Sequence, residues 1–297
     1  MRIAVAGSSG FVGSALGPAL TAVGHTVVRL ARGVPDLGAL DGVDAVVNLA
    51  GESVDERWSA DRKRRIRSSR VETTDRLARA MAGLSPRPAV FVSASAVGIY
   101  GNRHDEVLDE TSAPGTGYLA EVGQAWEAAA EPARQAGIRT VHSRFGVILG
   151  AHGGALAKML PAFKMGAGGK IATGTQWMSW IALDDVAQAI LFALTTPALA
   201  GPVNYTAPNP VTNADFTRAL GAALHRPTVA MIPPFALKLA YGEMADEVLI
   251  AGQRVYPRAL ERAGYPFRYA QLADALRDVL SDRAAGGGTR RASVTPH

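Results

Sequence analysis

Residues 7–13 read Gly-Ser-Ser-Gly-Phe-Val-Gly, a glycine at every third position. A short apolar run over residues 1–6 precedes them, and a segment of helical periodicity follows over residues 11–23, with Gly24 as its stop. Strand, glycine turn and helix in that order can hold a phosphate chain. Glycine tightens the turn and lets an anion reach the main chain, while the helix mouth offers unpaired N–H groups and a partial positive charge. In such an arrangement Gly7 makes the turn, Gly10 removes a Cβ where a pyrophosphate approaches, and Gly13 brings helix and strand together. The predicted ligand-contacting set here is Gly7, Ser9, Gly10, Phe11, Val12 and Gly13; the alternative is a glycine turn with no ligand.

The second strand, residues 25–31, decides which dinucleotide would fit. It ends in Arg29-Leu30-Ala31-Arg32, and no carboxylate follows until Asp36. A carboxylate at that end would bond a free ribose 2′-hydroxyl. An arginine there instead pairs bidentately with a 2′-phosphate. The expected cofactor is therefore NADP(H), with Arg32 the favoured phosphate ligand and Arg29 second; the alternative leaves Arg32 facing water. The third strand, residues 44–49, runs into Leu49, Ala50, Gly51 and Glu52. These are expected to border the adenosine half, Ala50 and Gly51 being small enough to let a dinucleotide pass.

The elements that must position these residues alternate. Helices are predicted over 62–81 and 118–136, and strands over 89–93 and 139–143. The link between the second and third strands holds Gly33, Pro35, Gly38 and Gly42, so the usual second crossover helix is at best truncated. Alternating strands and helices call for an α/β fold, a Rossmann-type doubly wound parallel sheet with right-handed crossovers. After residue 150 the texture changes to a Gly- and Lys-rich stretch with Trp177 and Trp180. A helix over 183–194 and a strand over 203–206 return to the first domain. A helix over 213–224 is expected to open on an Asn cap, with mixed helix over 233–263 and a last helix over 272–280. The division expected is a cofactor-binding domain over 1–150, a smaller C-terminal α/β substrate lobe over 151–282, and a disordered tail over 283–297.

Composition sets outer bounds. The chain has 297 residues, 48% hydrophobic and 6% aromatic, which suits an ordered globular protein. It has no cysteine, which excludes disulfides, thiolate metal sites and a cysteine nucleophile. Thirty-one Lys and Arg against 26 Asp and Glu give a net charge of +5. The run Arg62-Lys63-Arg64-Arg65, with Arg67 and Arg70, reads as a solvated helix face with one or two arginines turned toward a phosphate. It lacks the interleaved aromatics of a nucleic-acid surface, so no nucleic-acid partner is expected. No signal peptide, membrane span or metal-ligand spacing is read, and a cytoplasmic location is expected.

Several phrases resemble the extended short-chain dehydrogenases/reductases. They are the glycine start, Asn48-Leu49-Ala50-Gly51, the segment from Ser93 to Gly101, and Arg144-Phe145-Gly146-Val147-Ile148-Leu149-Gly150. More closely the chain resembles the atypical, epimerase-like branch of the NAD-dependent epimerase/dehydratase family, whose members share a C-terminal domain of unknown function. Leu119-Ala120-Glu121-Val122 with Trp126-Glu127, Met178-Ser179-Trp180-Ile181 and Gly252-Gln253-Arg254-Val255-Tyr256-Pro257 carry that closer match. The resemblance spans about residues 1–280. It implies that Phe145, Gly146 and Val147 back the nicotinamide, that Arg144 is an ion-pair partner, and that a homodimer forms through the helices after strands three and four.

Active members of that superfamily use Ser, Tyr and a Lys four residues beyond the Tyr. No tyrosine here has Lys or Arg at that distance. If Glu127 matches the family's acidic residue, Leu119 and Gly123 stand where Tyr and Lys would. The catalytic candidates left are Ser95, matched to the family's strand-four serine, Tyr100 in the following loop, Tyr118, and Glu121 as a general acid/base if burial raises its pKa. Each has a structural alternative: Ser95 capping a turn, Tyr100 packing, Tyr118 at a rim, Glu121 in solvent. Three functions stay open: an NADP(H)-dependent oxidoreductase on a small carbonyl or alcohol, a nucleotide-sugar-like epimerase or isomerase, and a non-catalytic NADP(H)-binding sensor or scaffold.

Overall fold

The apolar runs that end in small residues form one parallel sheet. A computed structural model describes residues 1–31 and 37–284. Arg32 and the tail from residue 285 onward lie outside the described residues. The sheet strands are β1 (Arg2–Ala6), β2 (Thr26–Leu30), β3 (Ala45–Asn48), β4 (Val90–Ala96), β5 (Arg139–Phe145) and β6 (Gly201–Tyr205). They lie in the order β2-β1-β3-β4-β5-β6, all parallel. The reversal of order falls between β1 and β3, where doubly wound sheets bind ligands beyond the carboxyl ends of their strands.

Between β2 and β3 the described residues form a 3₁₀ turn, Leu37–Leu40, and β2 lies at the edge of the described sheet. The register also leaves a step. Asn48 closes β3 opposite Ser93, but β4 runs on to Ala96, opposite Phe145, which in turn faces Tyr205. One half of the carboxyl edge thus stands three residues taller than the other.

Helices cover both faces, as buried parallel strands require. Ile3, Val5, Val47, Val92 and Val141 pack with α1 (Phe11–Ala22) and α6 (Leu183–Thr195). Ala4, Val46 and Phe91 pack on the other face with α2 (Ala60–Ala82) and the short α4 (Glu131–Gln135). The α2 helix starts where Ser59 accepts a hydrogen bond from the Arg62 N–H at 3.1 Å. It turns Ile66, Thr74, Leu77 and Met81 inward. The stretch predicted as one helix over 118–136 breaks into α3 (Tyr118–Ala128) and α4, because Ala129 and Ala130 form a turn and Pro132 opens α4.

The second lobe has its own core. Leu156 and Leu160 of α5 (Gly154–Lys164), Phe216 and Leu220 of α7 (Asn213–Leu224), and Ala275 and Leu276 of α10 (Leu272–Ala284) surround the fully buried Trp180. The expected mixed helix over 233–263 resolves into α8 (Pro234–Tyr241), a π turn at Ala245–Ile250, a strand at Arg254–Val255, and α9 (Arg258–Arg262). Asp185 ties the lobe to α6: its carboxylate accepts N–H bonds from Arg268 and Tyr269 at 2.9 and 3.0 Å. None of the described helices is long and apolar enough to cross a membrane.

The α7 start differs from the expected Asn cap. Thr212 is the cap, its Oγ1 accepting from the Asp215 N–H at 3.2 Å. Asn213 is buried instead, and its Oδ1 accepts from the Ile171 N–H at 2.8 Å. Thr212→Ala should therefore cost about 1 kcal/mol, read as a lower urea midpoint at unchanged slope.

Candidate functional site

The glycine turn has the geometry its spacing implies. Gly7 has a φ of 77°, and a Cβ there would stand 2.7 Å from the Leu49 carbonyl carbon. A Cβ on Gly13 would stand 2.2 Å from Gly7 O, so α1 lies directly on the turn. Gly10 occupies the cap position of α1, no side chain caps that helix, and its first turn holds no acidic residue. The open N–H groups of the helix mouth therefore face outward beside Ser9 and Gly10, both exposed.

A cavity of about 820 Å³ begins at that turn. It passes Leu30 and Ala31 at the end of β2, then Leu49, Ala50, Gly51 and Glu52, and is walled by α2 through Ser69, Thr73 and Arg76. A smaller hollow of about 470 Å³ lies on the other side of the turn, against His152 and Gly153. Both fall within the size range of small-molecule sites. An open helix mouth, a glycine cradle and a crevice at the strand reversal together fit a dinucleotide. Arg29 is exposed and does not line the cavity; Arg76 does, a residue the sequence reading missed.

Other members of the predicted set also make packing contacts or ion pairs. Phe11 lines the smaller hollow, but its ring is seated in the 150–154 loop, where a Cβ on Gly150, Gly153 or Gly154 would come within 2.6–2.7 Å of it. Val12 packs into the core. The space at Gly51 is taken by Arg70, whose Cζ lies 3.3 Å from where a Cβ would stand. Glu52 pairs with Arg62 at 3.0 Å. Gly146 closes on Ser179 O, 2.4 Å from a would-be Cβ, and the Val147 N–H donates to the same oxygen at 2.7 Å. Phe145 meets Tyr205 edge-on at 5.2 Å. Gly146 leads into the strand at Val147–Leu149, which pairs with Trp180–Ala182.

The catalytic candidates separate. Ser95 is 1% exposed and donates to Glu127 Oε1 at 2.7 Å. Glu127 also takes two hydrogen bonds from Arg144, both at 2.8 Å. Arg144 in turn donates to the Tyr100 hydroxyl at 2.9 Å. That hydroxyl, fully buried, also lies 2.8 Å from Asn204 Oδ1 and 2.9 Å from Asp109 O. Ser95, Glu127, Arg144, Tyr100 and Asn204 thus form one closed network between β4, α3, β5 and β6. Burial opposes the charge on Glu127, but the Arg144 hydrogen bonds and charge outweigh it and hold the carboxyl below its usual range. Burial pushes the Tyr100 phenol up. Neither Ser95 nor Tyr100 lines either of the two cavities beside the glycine turn. Glu121 is exposed on α3, without the burial a general acid would need.

The α3 face that would carry the Tyr and Lys is closed as well. Leu119 lies 3.5 Å from a would-be Cβ on Gly98, and Gly123 is pressed on Ile99, 2.9 Å from its own would-be Cβ. Tyr118 points the other way, half-buried against α2, with its hydroxyl donating to Lys63 O at 2.6 Å and its ring edge-on to Trp58. The second lobe finishes this helix: Glu247 accepts from the N–H groups of Tyr118 and Leu119 at 3.2 and 3.1 Å. Glu243 pairs with Lys63 at 2.8 Å beside it. Trp177 donates to Asp105 and is covered by Arg254, while Ser179 is buried between Gln253 and Val255.

A parallel sheet whose strand reversal meets an open helix mouth defines a nucleotide-binding protein of the Rossmann type. The chain belongs to the NAD dependent epimerase/dehydratase family, which matches residues 3–205; residues 232–279 match a domain of unknown function, DUF1731. It is 47% identical to an epimerase family protein of Mycobacterium bovis over 290 residues, 92% of this chain and 96% of that one. It is 37% identical to an epimerase family protein of Bacillus subtilis over 302 residues, 95% and 99% of the two chains. Among solved structures it resembles human epimerase family protein SDR39U1 with NADPH, at 32% identity and a TM-score of 0.88, over 95% of this chain and all of that one.

Proposed function

We propose that the protein binds NADP(H) across the glycine turn and acts as an oxidoreductase on a small carbonyl or alcohol. The observation that carries this reading is the uncapped mouth of α1 opening into the crevice at the β1/β3 reversal. The NADPH held by the similar human protein and the presence of Arg32, with no carboxylate, just after β2 in the sequence support the phosphorylated form. The bound nicotinamide would supply or take hydride. The chain's own task is to hold the pyrophosphate on the main-chain N–H groups of the α1 mouth.

A second reading, binding without turnover, is favoured by one observation: Ser95 and Tyr100 are sealed in the Glu127–Arg144 network. Calorimetry with NADPH and NADH tests what both share. NADPH is expected to bind the more tightly, and binding of neither overturns the assignment. Arg32→Ala should weaken NADPH about ten- to hundredfold, the worth of a charge-assisted pair, and leave NADH unchanged. Oxidation of NADPH across a panel of aldehydes and ketones then separates the two readings.

A further inference from the structure

One flank of α2 faces the crevice. Arg62, Ser69, Thr73 and Arg76 recur along it at helical spacing, and all four line the larger cavity. Among the described residues the cations lining that cavity are Arg62 and Arg76. Arg62 answers the carboxylates of the wall itself, Glu52 at 3.0 Å and Glu56 at 3.4 Å, and donates to Ser53 O at 2.9 Å. Arg76 is half-buried and stands further along the helix.

Hydrogen bonds fix the height of each. Leu30 and Asn48 are both in register with Ala6, so the ends of β2 and β3 are level. Asn48 donates to Thr74 Oγ1 at 2.8 Å, whereas the Glu52 N–H, further along the chain, donates to Ser69 Oγ at 3.0 Å. The α2 helix therefore runs down from the carboxyl edge, with Ser69 above the strand ends and Thr74 level with them. Arg62 lies about 18 Å nearer the helix start than Thr74, and Arg76 about 3 Å beyond it. Side chains on a helix lean toward its N-terminus, so the Arg76 side chain rises to the level of Leu30 and Ala31. Those two residues line the same cavity at the end of β2.

We propose that Arg76 is a ligand of the cofactor's 2′-phosphate and a determinant of the preference for NADPH over NADH. The proposal rests on the NADP(H) reading, in which the adenosine ribose lies at the end of β2. A 2′-phosphate offers three acceptor oxygens and close to two negative charges, more than one guanidinium fork satisfies. Arg32 follows Ala31 directly in the chain and serves from the sheet side; Arg76 serves from the helix side. Glu72 also lines the cavity, one turn nearer the mouth, and is exposed. For a ribose without the phosphate, that carboxylate is the group placed to accept from the 2′-hydroxyl. The two side chains thus favour opposite ligands.

The test is calorimetry on the full chain with 2′,5′-ADP and 5′-AMP, which differ only in the 2′-phosphate. The native protein should bind 2′,5′-ADP the more tightly. Arg76→Leu should weaken that ligand about ten- to hundredfold, the worth of a charge-assisted pair, and leave 5′-AMP unchanged. Arg76→Lys should recover part of the loss, keeping the charge without the fork. Arg79→Leu removes an exposed side chain paired with Asp75 at 2.9 Å and should alter neither affinity. Unchanged affinity in Arg76→Leu overturns the proposal, and so does an equal loss for both ligands, which would give Arg76 to the adenosine or to the fold. Should Arg76→Leu fail to fold, Arg76→Gln carries the same comparison. A native preference for 5′-AMP gives the ribose to Glu72 and also overturns it. A native chain that binds neither these ligands nor NADPH overturns the NADP(H) reading as well. A chain that prefers NADPH, and keeps that preference in Arg76→Leu, overturns the role of Arg76 alone.

Discussion

Alanine at Gly13 should abolish measurable NADPH binding and destabilise the fold, while alanine at Gly17, one turn along the same helix, should do neither. The new Cβ at position 13 would meet Gly7 O at 2.2 Å, Ser8 Cα at 2.7 Å and Ser8 C at 2.8 Å, all main-chain atoms of the turn. No side chain can swing aside, so α1 must lift off β1. Overpacking of this kind costs about 1–3 kcal/mol and at times more. The loss of binding should be larger still, because a misplacement of roughly 1 Å can cost about a hundredfold in a site that depends on geometry. At Gly17 nothing lies within 4 Å, and exchanging a helical glycine for alanine stabilises by about 0.5–1 kcal/mol. Urea unfolding and calorimetry on the two variants make the comparison. Native NADPH affinity in Gly13→Ala would remove the glycine turn from the site.

The second large effect belongs to Glu127→Ala. It leaves Arg144, whose side chain is 6% exposed, as an uncompensated charge between β5 and α3. Breaking a buried pair on one side costs about 3–5 kcal/mol, enough to bring a marginally stable chain near its unfolding threshold. The loss should depend on pH. Glu127 titrates lower in the fold than in the unfolded chain, so its contribution is complete above about pH 4.3, the unfolded value. It fades as pH falls through the depressed folded value. Native and variant stabilities should therefore differ most at neutral pH and converge in acid. His142 adds a slope of its own: burial lowers its pKa, so stability falls in both proteins as pH drops below about 6.5. Urea midpoints from pH 7 to 3 test this, and parallel curves without convergence would falsify the role given to the pair.

The sheet and the glycine turn were legible because their signals are local: apolar runs closed by glycine, then a helix start. The shortened link between β2 and β3 was legible for the same reason. The π turn and short helices over 234–262 carry no sustained period, so a mixed-helix reading was the most the residues could support. Ser95 shows a different limit. Both faces of β4 are buried, so apolar alternation does not tell which way a serine on that strand points. Only the packing of α3 shows that Ser95 meets Glu127. Arg70 was within reach. Ile66, Thr74, Leu77 and Met81 mark the inward stripe of α2, and a residue four on from Ile66 and four before Thr74 falls on it. The basic run reads as a solvated face with one or two arginines turned toward a phosphate, and the stripe of α2 singles out Arg70 among them.

The bond from Glu247 to the first N–H groups of α3 joins residues 129 apart in sequence, and Gly117, with a φ of 107°, leaves just the room that carboxylate occupies. The C-terminal segment is therefore not a detachable module. A chimera that grafts another relative's lobe onto this sheet must import a carboxylate at the same spot, or the helix flanking the crevice begins unfinished. Specificity could then be exchanged between relatives only together with this joint.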